Sequence, residues 1–333
     1  MSGGGPLFVD VVIPFRRWDA WTAECLQATL ALEPPCQRIT LVPDEPLPAE
    51  VWENIRAMPN TQNVREVVSG PVNPARKRNA AMEHNGADIF GFVDSDARPW
   101  SDWLAQGLPF FEDSRVAIVG GPNLTPPEDH PLQKACGDIM ASPLGMGAAY
   151  IRHVPVSRRE VTELPTCNML ARNLEWLRFR PELDTSEDME YCALARARGY
   201  RVIYDPAVRV DHHRRFLGVG FWRQFRAYGL YQGQRFAWHR LWRAAPLGLL
   251  VYLLALVLGL FVAPGWWWIW TIPLAIYLCG IAMESIRLTR GRLRGWLTWV
   301  AFPWAHAAYG IGYFQGLLSR MGAAPQSVQA KEK

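Results

Sequence analysis

An α/β fold with a mainly parallel sheet, followed by a C-terminal helical membrane anchor, is what this sequence predicts, on three observations. Short β-branched runs alternate with helical patterns up to about residue 215, the rhythm of βαβ units. Several of these runs end in carboxylates, at the edge where open parallel sheets bind ligands. Over 246–318 the charges thin to Glu284 and one arginine cluster, as in membrane helices.

Taken in order, Val9–Pro14 is a strand closed by proline, and a helical pattern covers 20–32. A second strand over 38–44 ends at Asp44, and a third covers 64–68. Asn73-Pro74 opens a helix through Met82, with asparagine as cap and proline in the first turn. The apolar run 88–93 is the next strand and 116–121 another. Residues 122–164, rich in Pro and Gly, suit a mobile loop over a site. A helix over 187–198 stops at Gly199, then a strand covers 200–204 and an extended piece 208–210.

The C-terminal part divides further. Arginines and aromatics alternate over 216–243, which suits an amphipathic helix in the headgroup region. Residues 246–263 and 266–286 are two apolar stretches of spanning length, joined by Pro264-Gly265, with Trp266, Trp267 and Trp268 as an interfacial belt. Arg287, Arg290, Arg292 and Arg294 follow and place that end in the cytoplasm by the positive-inside rule. The segment 296–318 contains Pro303, His306 and three glycines, and fits either a third span or an interfacial or re-entrant segment. The expected organisation is a catalytic domain over 1–215, interfacial helices over 216–245, a transmembrane hairpin over 246–286, a basic loop plus third transmembrane or re-entrant helix over 287–322, and a disordered tail over 323–333.

The formal charge of +4 is the small difference between 35 basic and 31 acidic residues, which gives no reason to expect nucleic acid. Six cysteines without CxxC or zinc-type spacing read as scattered thiols of a reducing compartment. The first residues lack the basic and apolar regions of a secretory signal, so the catalytic part is expected in the cytoplasm.

Asp94-Ser95-Asp96, at the end of the 88–93 strand, carries the most chemistry. On a strand, residues i and i+2 share a face, and two carboxylates aimed into a crevice call for a cation, such as a divalent metal carrying a nucleotide diphosphate. A solvated turn or helix cap is the alternative reading. A second acidic pair, Glu187-Asp188, opens a helix, where free amides favour ionised carboxylates; this suits a general base or an ordinary cap. No G-x-G-x-x-G follows the first strand, against a nicotinamide-dependent dehydrogenase.

The series Val11-Val12-Ile13-Pro14, Ala75-Arg76-Lys77-Arg78-Asn79-Ala80-Ala81, Val93-Asp94-Ser95-Asp96, Gly120-Gly121, Asn168-Met169, Glu187-Asp188 and Arg198-Gly199-Tyr200 resembles glycosyltransferase family 2, in order and spacing, over residues 8–213. The tail is similar to membrane-anchored members that build bacterial exopolysaccharides or glycolipids, which implies a place at a bacterial inner membrane with the catalytic domain in the cytoplasm. The resemblance implies the nucleotide-sugar-binding GT-A fold and a set of roles. Pro14, Asp44, Arg78, Asn79, Asp94, Ser95 and Asp96 would meet the donor, though Asp44-Glu45-Pro46 departs from the family's usual run after the second strand. Asp94, Asp96 and His212 would hold Mg2+ or Mn2+, with His213 the competing ligand. Asp188, beside Glu187, would be the catalytic base, and Asn168 would face the acceptor.

Gln232-Gly233-Gln234-Arg235-Phe236 resembles the Gln-x-x-Arg-Trp of processive synthases, with Phe236 in place of tryptophan, and puts Gln232 and Arg235 on the acceptor side. The expected activity is inverting, metal-dependent transfer of a sugar from a nucleotide-sugar, by default a UDP-sugar, to a lipid-linked saccharide at the cytoplasmic membrane face. Nucleotide-sugar, lipid-linked acceptor and membrane lipid are the expected partners, and nucleic acid is not. The competing readings are a polyprenyl-phosphate glycosyltransferase, a processive polysaccharide synthase and an inactive membrane-tethered scaffold.

Overall fold

The computed structural model describes residues 7–83, 86–183 and 185–322; the tail expected to be disordered over 323–333 lies outside them. The chain forms two compact units. One comprises the residues up to Pro127 together with Ile151–His213, the other Glu128–Tyr150 with Arg214 onward.

In the first unit the chain runs β1 (Val9–Pro14), α1 (Ala20–Leu30), β2 (Arg38–Val42), α2 (Ala49–Arg56), β3 (Val64–Glu66), α3 (Pro74–Met82) and β4 (Ile89–Phe92). It continues through β5 (Ala97–Pro99), α4 (Trp103–Gly107), β6 (Val116–Gly120) and β7 (Asn123–Leu124). In the second unit α5 (Pro131–Met140) and α6 (Pro143–Met146) follow. The chain then returns to the first as β8 (Arg159–Glu160), β9 (Met169–Arg172), α7 (Glu187–Ala197), β10 (Arg201–Tyr204) and β11 (Val210–His212).

Eight strands form one sheet in the order β3-β2-β1-β4-β9-β6-β10-β8, parallel except for β9 and β8. Strands covered on both faces must be apolar throughout, which is why β1 reads Val-Asp-Val-Val-Ile-Pro with every residue buried. Val9, Val11 and Ile13 meet α1, α2 and α4 on one face, while Val12 meets α3 and α7 on the other. The exception, Asp10, is neutralised by Arg65 at 3.2 Å and accepts from the Thr40 hydroxyl at 2.8 Å.

The order of β1 to β4 reverses direction at the β1/β4 pair, so the carboxyl ends of those strands open a crevice, with Pro14 and Asp94 at its mouth. Beyond β4 a second sheet, β5-β11-β7, pairs His212 with Ala97.

In the second unit, Val219–Gln234 (α8), Ala245–Val262 (α9), Trp267–Thr289 (α10) and Gly295–Gly322 (α11) follow one another. The segments Trp238–Val262 and Pro264–Thr289 are long and apolar enough to cross a membrane. Helix α11 runs unbroken through Pro303. It packs along α8 with backbones in contact: a Cβ on Gly312 would lie 2.0 Å from the Arg226 carbonyl oxygen, and one on Gly233 2.2 Å from that of Tyr313. Small residues permit this approach, as at helix crossings in membranes. The 122–164 stretch expected to be a loop instead carries α5, whose Cys136, Ile139 and Met140 share a buried cluster with Phe221, Phe225 and Phe302. Pro131 in the first turn and Gly137 inside that helix hid it from the sequence pattern.

Candidate active site

The strand β4 ends at Phe92, so Asp94-Ser95-Asp96 lies on a turn, closed by the Ala97 amide donating to the Asp94 carbonyl at 2.9 Å. The two carboxylates therefore do not share a strand face. Asp94 turns to α3 and Asp96 to β11.

On α3, Arg78 donates from Nη2 to Asp94 Oδ1 at 2.7 Å and from Nη1 to Glu187 Oε1 at 2.8 Å. One buried guanidinium thus joins the two acidic pairs that stand far apart in sequence. Burial works against its charge, but Asp94 and Glu187 outweigh burial and hold its pKa above the ordinary arginine value. The Phe179 ring flanks it, 5.5 Å from centroid to guanidinium carbon.

Glu187 and Asp188 start α7. The residue before them, Ser186, is left-handed (φ 64°) and makes no side-chain cap. Glu187 is committed to Arg78, and Asp188 Oδ1 accepts from the Met189 amide at 2.8 Å. Burial, then the Glu187 charge, push the Asp188 carboxyl up to about 7, with Arg152 pulling the other way. Arg152 is itself paired with Glu163.

The histidine choice follows from register. His212 lies opposite Ala97 in the β11–β5 pair, and its Nε2 comes 3.1 Å from Asp96 Oδ1. Burial tends to lower its pKa, but the Asp96 carboxylate holds it up at about 10. His213 faces elsewhere, stacked on Trp21 at 5.4 Å and 3.4 Å from Glu24 Oε2.

Asp94, Cys167 and His212 each bring a donor atom within 4.8 Å of the others. The Cys167 sulfur accepts from Asn123 Nδ2 at 3.1 Å. Asp96 is outside that trio, its Oδ1 3.1 Å from His212 Nε2; with the Asp94 carboxylate and the His212 imidazole it would make an oxygen-rich set with one nitrogen, which fits Mn2+ or Mg2+.

Other expected residues take different places. Asp44 pairs with Lys77, whose ammonium also donates to the Phe15 carbonyl at 2.9 Å and Ser69 Oγ at 3.0 Å. Lys77 is buried and was not singled out from sequence; its place one residue before Arg78 was the available signal. Asn79 is engaged with one backbone unit, donating to the Phe179 carbonyl at 2.7 Å and accepting from its amide at 3.0 Å.

Asn168 is fully buried. It donates to the carbonyls of Pro122 (3.1 Å) and Val208 (2.8 Å) and accepts from Trp103 Nε1 at 2.8 Å. Its polar atoms hold loops together. Gln232 accepts from Arg243, and Arg235 stacks over Tyr231 at 3.9 Å, both within the second unit.

The family model described as glycosyl transferase family 2 matches residues 10–135, the stretch that contains Asp44, Arg78, Asp94 and Asp96. The chain carries a glycosyl transferase family 2 domain. It is on that ground a glycosyltransferase. Among solved structures, a mannosyltransferase from Pyrobaculum calidifontis in complex with GDP-Man and Mn2+ matches 92% of this chain and 87% of its own, with a TM-score of 0.56 and 17% identity. That likeness establishes the fold. GalNAc-T7 with UDP, GalNAc and Mn2+ aligns with 63% of this chain and 44% of its own (TM-score 0.48, 13% identity). TarS of S. aureus aligns with 66% and 39% (TM-score 0.45, 16% identity). These two looser likenesses carry no further argument. No curated protein matches the chain in sequence.

Proposed function

We propose that the chain is an inverting, metal-dependent glycosyltransferase that moves a sugar from a nucleotide-sugar to a lipid-linked saccharide at the cytoplasmic face of a membrane. The observation that carries this reading is Arg78, which ties Asp94 to Glu187 and so sets the acidic turn and the start of α7 around one site. A donor end and a base end are what displacement at an anomeric carbon requires.

Asp94, Asp96 and His212 would hold Mn2+ or Mg2+, which when bound supplies Lewis-acid neutralisation of a diphosphate leaving group. The chain's own residues do the rest. Asp188 accepts the proton of the acceptor hydroxyl as it attacks, on the side of the sugar opposite the leaving group, and the anomeric configuration inverts. Its raised pKa makes it a stronger base than an ordinary aspartate. Arg78 keeps Asp94 and Glu187 in place. Lys77 holds Asp44, the donor-side acid after β2.

The two apolar helices support membrane attachment, and a membrane-attached enzyme meets a lipid-linked acceptor without diffusion through water. The test is a donor screen with full-length protein, membranes and lipid extract, reading released nucleotide with Mn2+ present and after chelation. The proposal expects release that depends on both metal and lipid extract. Equal release after chelation would remove the metal from the mechanism.

A further inference from the structure

The arginine cluster at the end of α10 is sorted by the fold into two paired and two unpaired cations. Arg287 donates to Glu284 at 2.6 and 2.7 Å, and Arg294 is paired with Asp138, whose other partner is the Thr298 hydroxyl at 2.8 Å. Arg290 and Arg292 are exposed, and among the described residues their side chains have no partner.

Arg292 lines a groove of 290 Å³ between α10 and α11. Along the groove from that cation, Ala282, Ile286, Trp296 and Trp299 provide an apolar floor, with both tryptophans substantially exposed. The hydroxyls at its base are engaged within the helix: Ser285 donates to Ile281 and Thr289 to Ser285, each at 2.7 Å. The groove thus has one charged end and one greasy end. It sits where the apolar segment Pro264–Thr289 stops, and the positive N-terminal end of the 28-residue α11 begins beside it.

We propose that this groove binds one anionic phospholipid, with its phosphate at Arg292, Arg290 two residues away adding positive charge, and an acyl chain along Ile286, Trp296 and Trp299. Charge selects the occupant, because two unpaired guanidiniums at the end of an apolar span match a phosphodiester bearing net negative charge. A zwitterionic lipid would leave the same cations facing its own ammonium. The proposal rests on the membrane reading of α9 and α10, and adds a specific lipid site to it.

The test is native mass spectrometry of the full-length chain in detergent, offered equal amounts of dioleoyl-phosphatidylglycerol and dioleoyl-phosphatidylcholine. Phosphatidylglycerol adducts are expected to dominate. A juxtamembrane arginine contributes about a fivefold preference for anionic lipid, so Arg292→Gln should lower phosphatidylglycerol occupancy about fivefold and Arg290→Gln with Arg292→Gln up to about 25-fold. Arg240→Gln, the same charge loss away from the groove, should leave it unchanged. Equal binding of the two lipids, an Arg240→Gln loss as large as that of Arg292→Gln, or displacement of the lipid by millimolar inorganic phosphate would each overturn the site. Flotation of wild-type and double-variant protein with pure phosphatidylcholine vesicles separates the two ideas. Failure of the wild type to float sinks the membrane reading, whereas flotation together with equal binding of the two lipids in the mass spectra sinks the groove alone.

Discussion

Replacing Arg78 by methionine removes the cation that holds the two ends of the site and keeps most of the apolar stem. A hydrogen bond to a charged group contributes about 1.5–3 kcal/mol. The bond to Glu187 joins side chains only 3% and 12% exposed and should count nearly in full. The bond to Asp94, whose side chain is 34% exposed, is screened by water and counts for about half as much. Against these losses, Arg78 Nε is buried with no partner among the described residues, a cost that methionine relieves. The balance is a loss of about 2–3 kcal/mol, or roughly 5–10 °C in the unfolding midpoint for a domain of 150–250 residues. Thermal unfolding of full-length Arg78→Met in detergent reads this directly. Loss of the clamp should also lower kcat/KM for the preferred donor about a hundredfold, since misplacement of reacting groups by an ångström costs that much. Arg78→Lys, which restores charge but not both bonds, should fall between. A variant that melts within 1 °C of wild type and turns over normally would refute the clamp.

The remaining predictions concern the base and a buried amide. Asp188 acts deprotonated, so kcat/KM should rise with pH through about 7 and level off above, where an ordinary aspartate would already have levelled off near pH 5; a pH profile flat between 5 and 8 would contradict this. The groups facing it are Glu187, Arg152 and Glu163. The stability sign is opposite. The folded state favours the neutral carboxyl, so folding stability contributed by this group is greatest below the unfolded value near 4 and falls as pH rises through about 7, which unfolding midpoints at fixed pH steps can follow. Asn168→Leu strands the Trp103 indole N–H and the Pro122 and Val208 carbonyls, and should cost about 2–4 kcal/mol while leaving donor and acceptor KM unchanged in the folded fraction; a selective rise in acceptor KM would restore the acceptor-side reading.

The central strands and the acidic motifs were legible because buried parallel strands must be apolar end to end and because the carboxylates follow them. What sequence could not supply was partner identity. The strand β9 runs antiparallel between β4 and β6, a long-range pairing that its own four residues do not encode. The Asp94 and Asp96 pair was expected to share a strand face, yet a turn sends one carboxylate to Arg78 and the other to His212. The choice between adjacent histidines needed the β11–β5 register, which puts His212 opposite Ala97. Asn79 and Asn168 looked chemical because amides serve ligands and backbone equally well; in the fold both bond to backbone, Asn79 from a half-buried position and Asn168 from a fully buried one. Lys77 stands inside the Ala75–Ala81 series with no role assigned from sequence, because a lysine in a basic helix gives no sign that it will be buried.

The central claim is that a donor end at Asp94, Asp96 and His212 and a base end at Asp188 serve one reaction. Comparing Asp96→Ala with Asp188→Asn tests it most directly, by measuring Mn2+-dependent binding of the donor nucleotide and sugar transfer in the same preparations. The account predicts that Asp96→Ala loses the metal-dependent binding. It predicts that Asp188→Asn binds as wild type while transfer to a hydroxyl acceptor falls by about 10²–10⁴. Normal transfer by Asp188→Asn to that acceptor would contradict it.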